Sequence, residues 1–360
     1  MTSTSAPGSG APMPDAPIRD AAVLDVADLH VEFDTYGGVV KAVRGASFSV
    51  APGKTLAIVG ESGCGKSVSV QSIMGLIPMP PGRITRGTAR LGGVDIIRQK
   101  IVNGEDVRGN RIGMIFQDPM SALNPTMRVG DQIAETLQVH RGFSHKAAFA
   151  RAVEVLATAQ IPDAEKRAKQ YPFVFSGGML QRAMIAMAIA CEPAVLIADE
   201  PTTALDVTIQ AQILDLIKDL QRRNGMAVVL ITHDLGVVAR MADDVVVMYA
   251  GEIVERGSVD DVFYRAAHPY TVGLKAAMPS SATSKTMSLR PIDGTPPDLF
   301  AAPQGCGYFA RCPHAMRLCE ASRPPSIVVG EGHGAMCWLH HPDAPAAPSV
   351  APDLYRGGQA

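Results

Sequence analysis

The stretch that decides the fold follows the apolar run Thr55–Val59 (TLAIV) and consists of Gly60, Glu61, Ser62, Gly63, Cys64, Gly65, Lys66 and Ser67 (GESGCGKS). It fits the pattern G-x-x-x-x-G-K-[ST] between a predicted strand and a predicted helix. The glycines let backbone N–H groups turn inward onto phosphate oxygens, and the helix N-terminus adds a dipole that favours an anion. Lys66 is expected on the β- and γ-phosphates and Ser67 on Mg²⁺. Cys64 is interpreted as a neutral spacer, with a redox role as the alternative.

Short apolar runs alternate with segments of helical periodicity through much of the chain. Ala194–Ala198 (AVLIA) and Ala227–Ile231 (AVVLI) are typical of strands buried on both faces, whereas Val129–His140 and His145–Gln160 carry apolar residues at helical spacing. The other predicted strands are Leu29–Phe33, Ala46–Val50, Arg111–Phe116 and Val245–Met248; the other predicted helices are Lys66–Leu76, Gln181–Cys191, Ile209–Arg223 and Leu235–Met241. Alternating strands and helices around a phosphate loop predict an α/β fold of the P-loop NTPase type with a mixed or parallel sheet core.

Composition and charge exclude several classes of protein. The 360 residues contain 33 Lys plus Arg and 35 Asp plus Glu, which gives a net charge of −2 and argues against a dedicated duplex-DNA binder. No run of about 18 apolar residues occurs, so no transmembrane helix is expected. The N-terminal stretch has no charged side chain before Asp15 and no apolar core, so it is predicted to be a disordered leader and not a secretory signal.

A pair of acidic residues, Asp199 and Glu200, ends the apolar strand AVLIA. An acidic pair in this position is by itself usually a solvated loop. With a phosphate loop in the same chain, the position suits an Asp that orients Mg²⁺ through water and a Glu that polarises the attacking water. Hydrolysis of a phosphoanhydride needs positioning and charge neutralisation more than covalent help, and these two carboxylates can supply both.

Further motifs give the chain a resemblance to a known family. The segment Phe175–Met179 (FSGGM) precedes a predicted helix and the strand that ends in Asp199, in the manner of a signature motif. With it, the sequence resembles the nucleotide-binding subunits of ABC transporters over about residues 28–255. Gln117 matches the family's Q-loop and His233 its switch histidine. Its D-loop is matched by Ala204, Leu205 and Asp206.

The resemblance implies a role for each of these motifs. Gln117 would offer its amide oxygen to Mg²⁺ and to the attacking water, and His233 would contact the γ-phosphate and hold Glu200 in line. Tyr36 would lie against adenine, with Phe33 as the alternative ring. The signature would reach the γ-phosphate bound to a second subunit, so that two ATP molecules join a dimer. Its predicted nucleotide contacts, together with the D-loop aspartate, are Ser176, Gly177, Gly178, Gln181 and Asp206.

The resemblance also narrows the branch of the family. His268, Pro269, Tyr270 and Thr271 (HPYT) are similar to a segment of oligopeptide and dipeptide importers, and so are FSGGM and the run from Gln117 to Pro125 (QDPMSALNP). Many other family members have Gln where this chain has Met179, but Met is usual in this branch. Nickel, opine and glutathione importers share these features. Substrate choice lies mainly in other subunits, so the substrate stays open.

Partners and location follow from the same resemblance. It implies a second ABC ATPase subunit, two transmembrane permease subunits and, indirectly, an extracytoplasmic substrate-binding protein, with no nucleic acid. The chain would then be the ATP-hydrolysing motor of a di- or oligopeptide importer, peripheral at the cytoplasmic face of the membrane. The rival is a soluble ABC ATPase that acts on ribosomes or DNA. Such proteins typically carry two cassettes or a coiled-coil insertion, and neither pattern is present in this sequence.

Four cysteines crowd the last part of the chain with the spacing C-x5-C-x6-C-x17-C: Cys306, Cys312, Cys319 and Cys337. ATP use implies a reducing cytosol, which disfavours disulfides. Four thiolates suit a closed metal site, but zinc sites usually show C-x2-C pairs, and a [4Fe–4S] cluster takes four cysteines as well. The spacing cannot decide between them. The resemblance to cluster-bearing peptide-importer subunits favours [4Fe–4S], with zinc and unligated thiols as alternatives.

The chain is accordingly divided into consecutive parts. A disordered leader is expected over residues 1–22 and an ABC ATPase domain over residues 23–265, with a helical subdomain at about 118–190. Beyond residue 265 the periodic pattern gives way to Pro, Cys and His, and residues 266–342 are interpreted as a small Cys-rich C-terminal region of the oligopeptide-importer type. Residues 343–360 are expected to form a flexible tail.

Overall fold

The structure is a computed structural model that describes residues 22–97, 107–203, 205–277 and 292–344. Most of the predicted leader and tail, and Ala204 of the predicted D-loop, lie outside the described residues. The described strands are β1 Leu24–Thr35, β2 Gly38–Val50, β3 Thr55–Val59, β4 Gly82–Leu91, β5 Val94–Asp95, β6 Ile112–Ile115, β7 Val195–Asp199, β8 Ala227–Ile231, β9 Asp244–Tyr249, β10 Glu252–Ser258, β11 Ile327–Gly330 and β12 His333–Ala335.

Eleven α-helices accompany these strands in the described part of the chain. They are α1 Lys66–Ile73, α2 Pro119–Ala122, α3 Val129–Arg141, α4 His145–Thr158, α5 Ala164–Ala168, α6 Gly177–Ile189, α7 Val207–Asn224, α8 Leu235–Met241, α9 Val259–Tyr264, α10 Pro269–Ala276 and α11 Arg317–Ala321. Short 3₁₀ helices cover Pro172–Val174, Leu299–Ala301, Phe309–Arg311 and Trp338–His340. Within the described ranges, none of the helices combines the length and the apolarity that a membrane span requires.

An eight-stranded mixed sheet forms the centre of the fold, in the order β11-β12-β10-β9-β3-β8-β7-β6. Strands β9, β3, β8, β7 and β6 pair in parallel, and the strands beyond β9 pair antiparallel. Every residue of β3, β7 and β8 is buried, because helices and the second sheet cover both faces. The predicted P-loop NTPase fold with a mixed sheet and accompanying helices is thereby confirmed.

The parallel pairing brings four loops to one edge of this sheet. The carboxyl ends of β3, β8, β7 and β6 lie side by side, since these strands are neighbours and run in the same direction. The phosphate loop follows β3, Gln117 follows β6, Glu200 follows β7 and His233 follows β8. Residues far apart in the sequence therefore share one site.

A second, antiparallel sheet has the order β2-β1-β4-β5 and packs over the first. Its strands β1 and β2 are longer than the predicted segments Leu29–Phe33 and Ala46–Val50. Strand β4 has no clear apolar alternation, because Arg, Thr and Gly interrupt it (GRITRGTARL), and it was not predicted. Its pairing with β1 and the burial of its last residues decide its conformation.

Helices α2 to α6 form a helical part between β6 and β7, and their apolar faces share one core with α7. The local sequence sets their ends. Ser144 begins α4 by accepting the backbone N–H of Ala147, and Gly142, with a φ of 66°, ends α3 in the left-handed conformation. These helices cover the range in which the helical subdomain was expected, and the subdomain boundary itself stays a prediction.

Two C-terminal strands extend the central sheet. Strand β12 pairs with β10, with Ala335 opposite Glu255, and β11 pairs with β12. The sheet thus contains strands from both sides of residue 265, and the predicted domain boundary there stays a prediction. The pairing of β10 with β12 could not be predicted from the sequence, because a long chain segment separates the two strands.

A buried carboxylate holds this C-terminal segment against the sheet. Glu255 accepts the backbone N–H groups of Ala267 (2.7 Å) and His268 (2.9 Å), and its other contact is the Nε2 atom of His333 (2.8 Å). Burial alone would raise the pKa of Glu255, but the hydrogen bonds from His333 and these two amides outweigh it and lower that pKa. The ionised form is thus the one that the fold favours.

Glu255→Gln tests this arrangement. The Gln amide cannot accept hydrogen bonds from the two backbone N–H groups and His333 at once. The free energy of unfolding at neutral pH should therefore fall by about 2–4 kcal/mol. Because the folded-state pKa of Glu255 is depressed, its contribution is present above the unfolded pKa, about 4.3, and disappears as the pH falls through the folded value. Urea titrations at several pH values should therefore show wild type and variant converging in acid.

Glu165→Gln is the matched control. Glu165 is exposed and forms an ion pair with Lys169 one helical turn away, so its replacement should leave the unfolding midpoint close to that of wild type. Equal unfolding midpoints for the two variants at neutral pH would contradict the role given to Glu255.

Candidate active site

The phosphate loop connects β3 to α1 and can be built only with glycine at two positions. Gly60 has a φ of 151° and Gly65 a φ of 101°. A methyl group on Gly60 would overlap the backbone oxygen of Met248 and lie 2.8 Å from the Cys64 sulfur, and one on Gly65 would lie 2.5 Å from the carbonyl oxygen of Ala42. The loop therefore packs its backbone against neighbouring backbone, which fixes the direction of its N–H groups.

The lysine of the loop is buried and folded onto the loop itself. The Lys66 ammonium donates to the carbonyl oxygens of Gly60 (2.8 Å) and Glu61 (2.9 Å). The Cys64 sulfur lies 3.9 Å from the same nitrogen, and burial raises the pKa of this thiol. A protonated, enclosed Cys64 agrees with its interpretation as a spacer, which stays a prediction.

A hydroxyl and a carboxylate meet where the loop faces β7. The Ser67 hydroxyl donates to Asp199 Oδ1 at 2.8 Å, although 132 residues separate the two in the sequence. Burial raises the pKa of Asp199, and the hydrogen bond from Ser67 opposes that shift, as does the weaker one from Gln71. These oxygens form a hard donor pair of the kind Mg²⁺ prefers. Ser67 and Asp199 are two of the three residues predicted to hold Mg²⁺, the third being Gln117, and this role stays a prediction.

Glu200 lies at the centre of the second cluster. Its Oε2 atom accepts from the Gln117 side-chain amide (3.0 Å) and from the Thr203 hydroxyl (3.0 Å), and its Oε1 atom lies 3.3 Å from His233 Nδ1. Its backbone adopts a φ of 48°, and its N–H donates to the carbonyl of Ile231. This left-handed conformation is unfavourable for a residue with a side chain and turns the carboxylate toward the loops from β6 and β8.

The structure thus brings together the three residues predicted to be catalytic: Gln117, Glu200 and His233. Thr203 was not predicted. Its hydroxyl reaches back three residues to Glu200, which is the local pattern of a Thr in a turn after an acidic residue. That signal is present in the sequence but is too common in turns to single the residue out.

The signature motif lies at the start of a different helix. Ser176 begins α6 and its hydroxyl accepts the N–H of Met179, while Gly178 packs so closely that a methyl group there would lie 3.1 Å from Ile209 of α7. Asp206 begins α7 in the same way, by accepting the N–H of Ile209. In the described residues, no hydrogen bond or ion pair joins this pair of helix ends to the phosphate loop of the same chain.

Gln181 differs in position from the start of α6. It is buried, and its side-chain amide donates to the carbonyl of Pro201 at 2.7 Å. Helical geometry explains the difference: the start of α6 faces solvent, whereas Gln181 lies on the inward face of the helix. The contact of Gln181 with the nucleotide stays a prediction. Gln181 ties the signature helix to the segment that follows Glu200.

Two exposed rings lie at the turn where adenine is predicted to bind. Tyr36 is fully exposed in the turn between β1 and β2, whereas Phe33, the alternative ring, packs against the core of the antiparallel sheet. Phe300 belongs to the C-terminal part, by which we mean the described residues from 266 onwards. Its ring lies beside this turn and would be 3.3 Å from a methyl group on Gly37. Of the two rings predicted for adenine, Tyr36 is the exposed one, and its contact with adenine stays a prediction.

The four C-terminal cysteines line a single small cavity with apolar walls that include Pro269, Phe309 and Leu339. Burial raises the pKa of Cys306 to about 11 and that of Cys337 to about 12, and it raises the pKa of Cys312 as well. Among the described residues, no three His, Cys, Asp or Glu side chains are grouped so that they could hold a metal ion. The predicted [4Fe–4S] cluster thus has no support from a formed metal-binding group.

A P-loop on a mixed sheet, a hydroxyl–carboxylate pair and a carboxylate held by a Gln and a His define an ATP-hydrolysing cassette. A family model described as "ABC transporter" matches residues 43–203, and one described as "Oligopeptide/dipeptide transporter, C-terminal region" matches residues 254–319. The chain belongs to the ABC transporter family, in the group of oligopeptide and dipeptide transport ATP-binding proteins. ATP hydrolysis coupled to transport is accordingly its activity.

Individual relatives agree with this assignment. The chain is 55% identical over 318 residues to the oligopeptide transport ATP-binding protein OppD of Bacillus subtilis (strain 168), which covers 88% of this chain and 89% of the relative. It is 54% identical over 312 residues to the dipeptide transport ATP-binding protein DppD of the same organism, with 87% and 93% covered. A dimeric structure of the bacterial ABC transporter cassette MJ0796 matches with a TM-score of 0.58 and 26% identity, and covers 66% of this chain and 98% of that chain.

Gly60→Ala tests the construction of the phosphate loop. The added methyl group would force the loop away from Met248 and misdirect its N–H groups, so the dissociation constant for ATP should rise at least about 10-fold in equilibrium titration. Gly53→Ala is the matched control, because Gly53 also has a positive φ, 69°, but nothing lies within 4 Å of an added methyl group. Equal ATP affinities for the two variants would contradict the role of the close contact.

Proposed function

We propose that this chain is the subunit whose ATP hydrolysis drives uptake of dipeptides or oligopeptides through a membrane ABC importer. The observation that carries the proposal is the geometry at Glu200, whose carboxylate is held by Gln117, Thr203 and His233 at the same sheet edge as the phosphate loop. The match of residues 254–319 to the C-terminal region of oligopeptide and dipeptide transporters supports the substrate class.

Each group at this edge has a role in the proposed reaction. Backbone N–H groups of residues 60–67 and the Lys66 ammonium hold the phosphates, and Ser67, Asp199 and Gln117 hold Mg²⁺, which neutralises phosphate charge when bound. Glu200 orients and polarises the attacking water. His233 contacts the γ-phosphate and keeps Glu200 in line. Tyr36 stacks on adenine, and Asp206 lies at the boundary with a second subunit.

The signature motif supports a two-subunit mechanism. Ser176, Gly177 and Gly178 begin α6 at a site that makes no described hydrogen bond to the chain's own phosphate loop, so they are available to the γ-phosphate held by a second ATPase subunit. The helix start offers a hydroxyl, N–H groups and a dipole that favours an anion. Two permease subunits would dock on this dimer at the cytoplasmic face of the membrane, and a substrate-binding protein would deliver the peptide to them.

The alternatives differ in what they would recognise. Nickel, glutathione or opine-type solutes would be carried by the same ATPase design with other permeases. A soluble ATPase that acts on ribosomes or DNA would not need a C-terminal region of the transporter type, and the match at residues 254–319 favours transport over it. Purification with two polytopic permeases, and stimulation of hydrolysis by a peptide-loaded binding protein, would separate these possibilities.

Glu200→Gln tests the catalytic assignment. The amide keeps the size and the hydrogen-bonding span of the side chain but cannot act as a base, so kcat should fall at least about 100-fold while the dissociation constant for ATP changes by less than about threefold. The measurements are steady-state phosphate release and equilibrium ATP binding.

Glu192→Gln is the matched control for this variant. Glu192 is an exposed carboxylate that pairs with Arg151 in the helical part, away from the site, and its loss should leave kcat unchanged. Turnover in Glu200→Gln comparable to that of this control would contradict the catalytic role assigned to Glu200.

For the C-terminal cavity, we propose that Cys306, Cys312, Cys319 and Cys337 ligate a [4Fe–4S] cluster. The proposal rests on the shared cavity, its apolar walls and the all-sulfur donor set. Zinc, or thiols that bind no metal, are the alternatives. A cluster held by all four thiolates would cross-link a loop-rich segment.

Optical spectra and metal analysis of anaerobically purified protein test the cluster. Wild type should be coloured and contain iron and sulfide, and Cys319→Ser and Cys337→Ser should lose both. Cys191→Ser is the matched control, since Cys191 is also buried but lies in the helical core, and the colour should persist in this variant. A colourless wild type that contains zinc, or no metal, would refute the cluster.

A further inference from the structure

The C-terminal part contacts the phosphate loop directly. Tyr270, of the HPYT segment, accepts the backbone N–H of Glu61 on its hydroxyl oxygen at 2.8 Å. Arg311 donates from Nη1 to Glu61 Oε2, also at 2.8 Å, although 250 residues lie between them. Both the backbone and the side chain of this one loop residue are therefore held by the C-terminal part.

Both contacting side chains are fixed in place. Tyr270 is fully buried, and its ring packs against Tyr249 at the end of β9, with ring centroids 4.5 Å apart. The Arg311 side chain is only 6% exposed and also donates to the Tyr249 hydroxyl and to the carbonyl oxygens of Asp293 and Ile292. Burial would lower the pKa of Arg311, but its bonds to Glu61 and Tyr249 raise that pKa, so the charge is retained.

Glu61 connects Tyr270 and Arg311 to the phosphate-binding lysine, Lys66. Its N–H is bound by Tyr270, and its carbonyl oxygen accepts the Lys66 ammonium at 2.9 Å. Since the same peptide segment is restrained on one side and receives Lys66 on the other, a shift of Glu61 moves the lysine and the adjoining N–H groups. A phosphate site depends on such donors being directed before the anion arrives.

We propose that Tyr270 and Arg311 are positioning residues for the phosphate loop, which act through Glu61 so that the C-terminal part sets the affinity of the chain for ATP. The inference rests on the assignment of residues 60–67 to ATP binding. It adds two residues, Tyr270 and Arg311, to those that determine ATP affinity, and neither needs to contact the nucleotide.

The test is ATP binding by the full-length chain. Tyr270→Phe removes one hydroxyl and keeps the ring packing, and Arg311→Gln removes the charge that holds the Glu61 carboxylate. Each should raise the dissociation constant for ATP about 5- to 30-fold, because the loop loses one restraint before binding. In the assembled transporter, KM for ATP should rise while kcat changes less than about twofold, since Glu200 is untouched.

Two comparisons distinguish positioning from a general loss of structure. Tyr308 belongs to the same aromatic cluster, with its ring centroid 5.4 Å from that of Tyr270, but its hydroxyl makes no described hydrogen bond to Glu61. Tyr308→Phe removes this hydroxyl and should leave ATP affinity unchanged. Arg311→Gln in a Glu61→Gln background should add little to the effect of Glu61→Gln alone, because the two side chains act as one pair. Thermal unfolding midpoints should stay close together across the set.

The possible failures are distinguishable. Wild-type affinity in both Tyr270→Phe and Arg311→Gln would overturn the inference while leaving the ATPase assignment intact. Additive effects in the Glu61 and Arg311 pair, or an equal loss in Tyr308→Phe, would also overturn it. A wild-type chain that binds no ATP would overturn the proposed function together with this inference. If Tyr270→Phe yields too little folded protein, Arg311→Gln and the pair with Glu61→Gln still decide the question.

Discussion

The parallel pairing of β3, β8, β7 and β6 is the constraint on which the rest of this structure depends. In this register Ile231 lies opposite both Ile58 and Asp199, so the loops after β3, β7 and β8 begin at the same level. The Ser67 hydroxyl can therefore reach Asp199, and the N–H of Glu200 can donate to Ile231. A slip of one residue would turn Asp199 to the other face of the sheet and separate this pair.

Three buried charges of the described residues have their hydration replaced by protein groups, two of them by groups distant in the sequence. Lys66 is bound by carbonyl oxygens of its own loop, Arg311 by Glu61 and Tyr249, and Glu255 by two amides and His333. Removing a charge from water costs several kcal/mol unless such partners replace the lost hydration. The same contacts therefore make the C-terminal part an extension of the ATPase sheet and bring it to the phosphate loop.

Most of the central sheet could be predicted, because β3, β7 and β8 are short apolar runs flanked by turn signals or helices. Strand β4 of the antiparallel sheet could not be predicted, since its pattern is irregular and its pairing with β1 decides its conformation. Among the site residues, the cluster of Gln117, Glu200 and His233 follows from motif order. The inward position of Gln181 does not, because a motif gives the spacing of residues but not which face of a helix the core covers.

The sequence by itself determined the fold class, the phosphate loop and the family, because these depend on local patterns: glycines where the backbone must turn, apolar runs where strands are buried, and motifs in a recognisable order. Only the tertiary structure decided that β12 joins the ATPase sheet, that four cysteines share one cavity, and that Tyr270 and Arg311 hold Glu61. These are contacts across long stretches of chain. They form only when the core excludes water and gives each buried polar group one available partner.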